Sequence, residues 1–297
     1  MATAFCPAHI TGFFKAELDK KDSKQLGSLG AGFSIQKGVK TTVTIRNKTK
    51  HDISNFTIKV NGFESGDMRV SEVVLSKFPT KEKFVDVIHE IDVPVGYGFG
   101  SSAAVALSLA IALNDALECK LSKIKVAQIA HDVEIECKTG LGDVLASYYG
   151  GFEIRDKPGA PGIGHVQKIT LNKISIIMIC FSPISTSKFI KERLPRINGL
   201  GGKMVNELLK SKNYEHFQEM SLEFAKYVDV MTPRMQKVVN ELSKNNIKCG
   251  IALFGETIFS MIPKENENKI LKILEKYSDG IIIKSELDNT GARVLYN

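Results

Sequence analysis

The sequence predicts an α+β fold of two domains, and three features of the chain support this class. Runs rich in β-branched residues precede a glycine-rich loop that leads directly into an apolar helix. In the C-terminal half, strand-like segments flank a long helical stretch, as in an α+β domain. A length of 297 residues is enough for two domains of ordinary size. We place the boundary in the Pro/Gly-rich stretch 157–165, which divides the chain into 1–163 and 164–297.

The segments before residue 94 are mainly strand-like. Their composition and partial alternation predict a helix over 68–78 and strands over 2–8 (ending at Pro7), 41–45, 53–60 and 84–93. A charged loop is expected over 15–24. The glycine cluster Gly27-Ser28-Leu29-Gly30-Ala31-Gly32 predicts a tight turn that places Ser28 beside a ligand, although a plain hairpin turn would use the same residues.

The segments after residue 120 alternate in character. Apolar residues at helical spacing predict a helix over 122–138, which carries His131 and Glu134 three positions apart beside its apolar stripe. Further helices are expected within 187–246 and over 264–277. Strands are expected over 150–156, 174–181, 249–254, 257–262, 280–284 and 293–296.

The stretch from Pro94 to Ala104 predicts an anion site. Gly96, Gly98 and Gly100 leave the backbone uncovered and allow positive φ, and Ser101 and Ser102 are favoured at the start of a helix. The N–H groups of such a helix start, together with its dipole, favour a polyphosphate. A glycine turn that merely enters a core helix is the simpler explanation of the same residues.

Composition narrows the functional class. Apolar residues make up 43% of the chain and charged residues 25%, as in a globular protein. The five cysteines are widely spaced without a C-x-x-C pair, which favours reduced thiols in the cytoplasm over a disulfide framework or a zinc site. The N-terminus lacks a signal-peptide pattern, and the apolar run after Ser102 is too short to cross a membrane. A net charge of +7 without an aromatic-interleaved basic stripe suits anionic small molecules better than nucleic acid.

The glycine-rich stretch, from Pro94 through Ser101-Ser102-Ala103-Ala104, resembles the nucleotide-binding motif of the GHMP kinase superfamily. The resemblance implies a domain like domain 2 of ribosomal protein S5, a ferredoxin-like second domain with a helical insertion, and ATP with Mg²⁺. It assigns the triphosphate to these residues: Pro94, Gly96, Gly98, Gly100, Ser101, Ser102 and Ala103. A third motif of the superfamily matches only weakly, through Gly250 and Gly255.

Three other segments are similar to the archaeal pantoate kinase family: Phe5 to Phe14, Gly27 to Gly32, and Thr139-Gly140-Leu141-Gly142-Asp143-Val144. Asp143 precedes Gly150-Gly151 at the interval seen in mevalonate-type members. The resemblance implies phosphorylation of pantoate to 4-phosphopantoate for coenzyme A biosynthesis, in a cytoplasmic homodimer.

The same resemblance implies a role for each site residue. Asp143 would be the catalytic base, with Glu134 acting beside it. Mg²⁺ would be held by Glu134 and Ser102, with Ser101 as a possible replacement, because Mg²⁺ prefers one or two protein oxygens together with phosphates and water. Pantoate would be held by the following residues: Ser28, His131, Arg155 and His9. The His9 position often holds a lysine in relatives, which leaves open the cation that lowers the pKa of Asp143.

Three alternatives remain open from the sequence. Another GHMP kinase, acting on homoserine or a mevalonate-type alcohol, would carry the same ATP motif. A non-catalytic GHMP-fold ligand sensor would keep the fold without turnover, although the presence of both Glu134 and Asp143 argues against it. A nucleic-acid-binding protein would use the basic surface and would show steep salt dependence.

Overall fold

The structure, a computed structural model, describes residues 1–63, 66–184 and 186–296. Within these residues the strands form two sheets. The first sheet contains β1 (Ala2–Glu17), β2 (Gly27–Asn47), β3 (Phe56–Gly62), β4 (Lys83–Ile91), β5 (Phe152–Lys157), β6 (His165–Ile169) and β11 (Arg293–Leu295). The second sheet contains β7 (Ile174–Pro183), β8 (Gly250–Ala252), β9 (Gly255–Pro263) and β10 (Ile281–Glu286).

Eight helices cover these sheets in the described part of the chain: α1 (Arg69–Ser76), α2 (Ser101–Ala116), α3 (Lys123–Cys137), α4 (Asp143–Tyr149), α5 (Thr186–Ser211), α6 (Tyr214–Tyr227), α7 (Pro233–Lys244) and α8 (Glu267–Leu274). Helix α2 packs on β1, β2 and α3. It is buried on nearly every side, as its almost uninterrupted apolar sequence requires. This packing places its N-terminus beside β1 and α4.

Strand order shows why β2 is central. The first sheet runs β11-β1-β2-β4-β3, and β2 also pairs with β5, which continues to β6. Only β3 and β4 pair in parallel among the described strands. Over residues 30–33, β2 has β1 on one side and β5 on the other. The first half of β2 therefore separates β1, which carries His9, from β5, which carries Arg155.

The two sheets share one apolar core. Phe33 of β2 meets Phe259 of β9 with ring centroids 5.0 Å apart. Phe217 of α6 stacks on Phe259 at 5.7 Å and approaches Phe13 of β1 at 5.8 Å. All four rings are fully buried. Because these aromatic contacts join β1 and β2 to the second sheet, the site residues on β1 rest on a packed base.

The glycine cluster at residues 27–32 was predicted to be a tight turn, and this prediction is wrong. Residues 27–32 lie inside strand β2. A Cβ at Gly30 would lie 2.6 Å from Arg155 Nη2, and one at Gly32 would lie 2.5 Å from His9 Nε2. The glycines therefore make room for large side chains from the flanking strands rather than reversing the chain.

The first strand is longer than its sequence indicated, because it runs through Pro7 to Glu17. The pairing with β2 shifts register between Pro7 and Ala8. A proline is tolerated at such a bulge, because the interrupted ladder does not need its missing N–H. The charged loop begins at Leu18, three residues later than predicted.

The start of α2 also differs from the expectation of a serine cap. Gly100 is the N-cap, with φ of 56° in the left-handed region, and Ser101 is the first helical residue. Both serine side chains are thereby released from capping the helix. Two strands beyond residue 163, β6 and β11, pair within the first sheet, and the domain boundary at that residue stays a prediction.

Two adjacent glycines of α5 provide a matched test of the packing. A Cβ at Gly201 would overlap the backbone carbonyl of Phe14, whereas one at Gly202 would meet only the flexible side chain of Lys15, at 3.2 Å. We expect Gly201→Ala to lower the free energy of unfolding by about 1–3 kcal/mol through overpacking. Gly202→Ala should raise it by up to about 1 kcal/mol, because alanine favours helix. Urea unfolding of both variants measures this, and equal effects would contradict the close packing of α5 on β1.

Candidate functional site

The glycine loop before α2 has the conformation that its sequence predicted. Gly96, Gly98 and Gly100 have φ of 84°, 87° and 56°, a region in which side chains are strained. The backbone N–H of His9 donates to the carbonyl of Phe99 at 3.0 Å, which ties the loop to β1. The loop is therefore held open as a backbone cradle at the start of a buried helix.

The second sheet closes over this loop. Thr257 Oγ1 donates to the carbonyl of Tyr97 at 2.8 Å, and a Cβ at Gly255 would overlap the backbone of Tyr97. A Cβ at Gly98 would likewise overlap the carbonyl oxygen of Leu253. Gly255, the second glycine of the weakly matching third motif, thus allows the second sheet to touch the glycine loop. Gly250 instead packs on the Phe259 ring.

A cavity of about 610 Å³ lies in front of the loop. Its lining includes Ser101, Ser102 and Asp143, together with Thr139 and Pro183. This volume is in the range of small-molecule sites. The cavity therefore joins the predicted phosphate loop to the predicted catalytic aspartate.

Two carboxylates, that of Glu134 and that of the cavity-lining Asp143, converge on one point. Glu134 lies in the last turn of α3 and Asp143 is the first residue of α4, with a short turn through Gly140 between them. A Cβ at Gly140 would overlap Glu134 Oε2 and would lie 3.3 Å from Asp143 Oδ2. Both carboxylates therefore face the same point, and only glycine leaves space for them there.

Glu134 is held in an environment that disfavours its charge. The side chain is almost fully buried, the hydroxyl of Thr139 donates to its Oε1, and its Oε2 has no partner within the described residues. Burial raises the pKa of Glu134 to about 7, and the nearby charge of Asp143 adds to this, whereas the hydroxyl groups of Thr139 and Ser102 oppose it. A cation beside Oε2 would relieve this cost.

Asp143 is bound on its other side by His9. His9 Nδ1 lies 2.8 Å from Asp143 Oδ1, and His9 Nε2 lies 2.9 Å from Glu153 Oε1. Arg155 Nη1 donates to the same Glu153 oxygen at 2.6 Å, and Thr11 Oγ1 donates to Asp143 Oδ1 at 3.4 Å. His9, Glu153 and Arg155 are fully or almost fully buried, and the side chain of Asp143 is 16% exposed, toward the cavity.

The cluster keeps Asp143 ionised. Burial by itself would raise the pKa of Asp143, but the hydrogen bond and charge of His9, with the charge of Arg155, outweigh it and lower the pKa below its usual value. Burial would likewise lower the pKa of His9, yet its hydrogen bonds to Asp143 and Glu153 raise it overall. The cation that the sequence left unidentified is therefore a histidine, supported by an arginine.

Ser28 and Arg155 meet on the opposite side of Asp143. A Cβ at Gly142 would overlap Ser28 Oγ and would lie 3.0 Å from Arg155 Nε, a buried atom without a partner in the described structure. A small cavity at this point has both polar and apolar walls: Thr11, Phe14, Ser28, Gly140, Leu141, Gly142, Asp143, Arg155, Ile190 and Phe254. Of the four predicted pantoate residues, the structure brings Ser28, Arg155 and His9 together around Asp143.

His131 is placed elsewhere. Its Nε2 donates to the carbonyl of Ser23 at 3.1 Å, and it is absent from the residues that line either cavity. Although His131 and Glu134 share α3, Glu134 faces Gly140 while His131 faces the short 3₁₀ turn Ser23–Gln25. A separation of three residues along α3 was therefore not enough to bring both side chains into one pocket, because one points toward Ser23 and the other toward Gly140.

Sequence reasoning missed Thr11, Thr139 and Glu153. Glu153 and Arg155 are two residues apart on β5 and therefore share one face. Opposite charges that alternate with the apolar residues Phe152 and Ile154 were the available signal. Thr139 lies two residues after α3 and begins the segment Thr139 to Val144, but nothing in that segment indicates that its hydroxyl binds Glu134.

Two kinds of feature, a cluster of metal-ligating side chains and a membrane-spanning helix, are absent from the residues that the structure describes. These residues contain no cluster of three or more His, Cys, Asp or Glu side chains arranged to hold a metal. No helix in them combines the length and apolarity needed to span a bilayer.

The pKa of Glu134 makes a prediction about stability. The pKa of Glu134 in the folded protein, about 7, lies above its ordinary value of 4.5. The folded protein therefore favours the protonated carboxyl, and the stability that this provides at low pH is lost as pH rises from about 4.5 through 7. Relative to wild type, Glu134→Gln should gain on the order of 2 kcal/mol more unfolding free energy at pH 8 than at pH 5. Chemical unfolding of the protein without ligands measures this gain.

The control is Glu136→Gln on the same helix. Glu136 is exposed and pairs with Lys77, and exposed pairs contribute little. We expect no such dependence on pH for this variant. If Glu134→Gln changed the unfolding free energy equally at every pH, the folded protein would not disfavour ionisation of Glu134.

Comparison with known proteins places this site in a family. Residues 68–151, from α1 to the end of α4, match the model of the GHMP kinases N terminal domain. The chain is 34% identical to a pantoate kinase of Methanocaldococcus jannaschii over 91% of this chain and 96% of that protein. It is 30% identical to a pantoate kinase of Thermococcus kodakarensis, over 91% of each chain.

A solved structure agrees with these sequence matches. A phosphotransferase related to the coenzyme A biosynthesis pathway superimposes with a TM-score of 0.88 at 29% identity, covering 98% of this chain and 97% of the other. The fold is thus the GHMP kinase fold, in agreement with the α+β class that the sequence predicted. The chain belongs to the pantoate kinase family of the GHMP kinase superfamily.

Proposed function

We propose that this protein is a pantoate kinase that transfers the terminal phosphoryl group of ATP to pantoate, giving 4-phosphopantoate for coenzyme A biosynthesis. The observation that carries the proposal is the convergence of Glu134 Oε2 and Asp143 Oδ2 on one point beside the glycine loop. Phosphoryl transfer requires phosphate neutralisation, a metal and an oriented acceptor hydroxyl, and the residues around this point would serve each of these needs.

ATP would bind with its phosphates in the glycine loop. The positive φ values at Gly96, Gly98 and Gly100 leave the backbone free of side chains, and the buried N-terminus of α2 favours negative charge. Pro94 precedes this loop, and Ser101, Ser102 and Ala103 follow it at the helix start. The size of the cavity beside the loop supports a nucleotide as the ligand.

Mg²⁺ would be held by Glu134 and Ser102. These residues fit the ion, because Oε2 of Glu134 is buried without a partner and both side chains offer hard oxygens. When bound, the ion supplies charge neutralisation to the phosphates. It would also restore the ionised form of Glu134, whose pKa burial raises to about 7.

Asp143 would act on the acceptor alcohol. The acceptor hydroxyl gives its proton to Asp143 and forms a bond to the terminal phosphorus of ATP, while the bond from that phosphorus to the ADP oxygen breaks. His9 and Thr11 hold Asp143 Oδ1, which leaves Oδ2 directed at the cavity. The carboxylate is therefore oriented before the substrate arrives.

Pantoate would reach the small cavity beyond Asp143 with its carboxylate only, because that cavity of about 10 Å³ has room for about one water molecule. The rest of the substrate would lie in the adjoining cavity of about 890 Å³, which shares Gly140, Leu141 and Ile190 with it. The carboxylate of pantoate suits the unpartnered Nε of Arg155 and the hydroxyl of Ser28, and its dimethyl carbon suits the apolar wall of Leu141 and Ile190. Because Arg155 Nη1 is already paired with Glu153, Nε is the guanidinium donor that faces Ser28 and Gly142. His9 would act through Asp143.

Several finer expectations remain part of the proposal. The N-terminal unit would resemble domain 2 of ribosomal protein S5, and the C-terminal unit would be ferredoxin-like with a helical insertion, divided after residue 163. The enzyme would work in the cytoplasm as a homodimer. These statements depend on the resemblance and the cysteine content.

A substrate panel tests the function. An assay coupled to ADP release should show turnover with D-pantoate and little or none with homoserine or mevalonate. Turnover of homoserine without turnover of pantoate would assign the protein to another GHMP activity. Binding of ATP without turnover of any alcohol would favour a ligand sensor.

Asp143→Asn tests the role of the carboxylate. Removing the proton acceptor should lower kcat by about 10²–10⁴-fold, while ATP affinity stays within about twofold because the glycine loop would hold the phosphates through its backbone N–H groups. Turnover measures the first effect and titration calorimetry the second. Substantial residual turnover would remove Asp143 from its assigned role.

Ser28→Ala and His131→Gln separate two predicted pantoate residues. Ser28→Ala should raise the KM for pantoate about tenfold and leave kcat within about twofold, since one hydrogen bond is lost. His131→Gln should leave this KM unchanged and lower stability instead, because His131 binds the carbonyl of Ser23. A raised KM in His131→Gln would return His131 to the substrate pocket.

A further inference from the structure

The imidazole of His9 is enclosed between two carboxylates. Nδ1 lies 2.8 Å from Asp143 Oδ1 and Nε2 lies 2.9 Å from Glu153 Oε1. His9 and Glu153 have no solvent-exposed surface. Water therefore cannot replace either carboxylate as a hydrogen-bond partner of the ring.

This geometry bears on the protonation of the ring. A neutral imidazole has one N–H, whereas an ionised carboxylate only accepts. A neutral His9 would thus direct a lone pair at one of the two carboxylates, unless that carboxyl were itself protonated. An imidazolium donates to both.

The charges that surround His9 come from two elements. Asp143 approaches from α4, and Glu153 and Arg155 approach from β5, while Thr11 contributes only a hydroxyl. Burial and the guanidinium, whose Nη1 lies 3.4 Å from His9 Nε2, both oppose the charge on the ring. The hydrogen bonds to the two carboxylates outweigh them, and the pKa of His9 is raised.

We propose that Glu153 is a positioning residue of the kinase: through His9, it keeps a proton on the imidazole and thereby holds Asp143 ionised and fixed in orientation. The proposal deepens the proposed function, because it rests on the role of Asp143 in phosphoryl transfer. Glu153 lines none of the three cavities at the site, so it would not touch the substrate itself.

The route of this interaction crosses a strand. β1, which carries His9, and β5, which carries Glu153, lie on opposite sides of β2. Next-but-one strands lie roughly 10 Å apart, and a side chain on β2 would normally separate them. Gly32 pairs directly with Glu153, and a Cβ there would lie 2.5 Å from His9 Nε2. Glycine at position 32 therefore opens the contact.

The test compares pH profiles of kcat. Glu153→Gln removes the negative charge and lowers the pKa of His9. As pH rises, the variant should therefore lose activity earlier, at a lower pH, than the wild-type enzyme does. We expect the ratio of wild-type to variant kcat to be about tenfold larger at pH 8 than at pH 6, as for a pKa lowered by about one unit into this range. Glu153→Asp, which keeps the charge, should restore part of the wild-type profile.

Glu267→Gln is the control. Glu267 accepts from Ser175 and Lys284 in the second sheet and lines neither cavity. The Glu267→Gln variant should be less stable than the wild-type protein, but its kcat should depend on pH in the same way. A uniform loss of kcat at every pH in Glu153→Gln would reduce Glu153 to a structural role and overturn the proposal.

A measurement on the unmodified enzyme keeps the proposal testable even if Glu153→Gln does not fold. In protein labelled with ¹⁵N at histidine, NMR should show His9 protonated at both ring nitrogens at pH 7.5, with His9→Asn identifying its signals among the six histidines. A neutral His9 ring at that pH would overturn the proposal. This readout needs no substrate, so it stands even if pantoate is not the acceptor.

Discussion

The contact of His9 with Asp143 and Glu153 is the interaction on which the site depends. It joins β1, α4 and β5 through one buried ring, at 2.8 Å on one side and 2.9 Å on the other. With Arg155 beside them, the two carboxylates and two cations balance in charge, which makes their burial tolerable. The orientation of Asp143 toward the cavity follows from this arrangement, because its Oδ1 is held by His9.

Glycines supply the space that this interaction requires. Gly30 and Gly32 let side chains from β1 and β5 meet across β2, and Gly140 leaves room where Glu134 and Asp143 converge. Gly98 and Gly255 do the same for the backbone, where the second sheet meets the phosphate loop. The glycine-rich motifs of this chain therefore act partly by the absence of a Cβ, and at the loop 96–100 and at Gly150-Gly151 they also adopt positive φ.

The site is built at a cost to stability. Glu134 is buried with an unpartnered oxygen beside a second carboxylate, and its pKa is raised to about 7. Such an arrangement is unfavourable for the empty protein and becomes favourable only with a bound cation. Asp143 and Glu134 thus occupy opposite environments. Asp143 lies beside the cations His9 and Arg155, whereas Glu134 is buried without a neighbouring cation among its contacts in the described part of the chain. Environment, rather than residue type, separates their roles.

The sequence by itself determined the α+β class, most of the strands and helices, and the glycine loop before α2. It did so because apolar periodicity and the glycine pattern at 94–104 are local signals. It also indicated Asp143, Glu134, Ser28 and Arg155, through the resemblance to a kinase family rather than through geometry. Only the tertiary structure decided that residues 27–32 form a strand, that His131 faces Ser23, and that Glu153 reaches His9. The physical reason is that these outcomes depend on which strands flank β2, and pairing between residues more than a hundred positions apart leaves no local pattern in the chain.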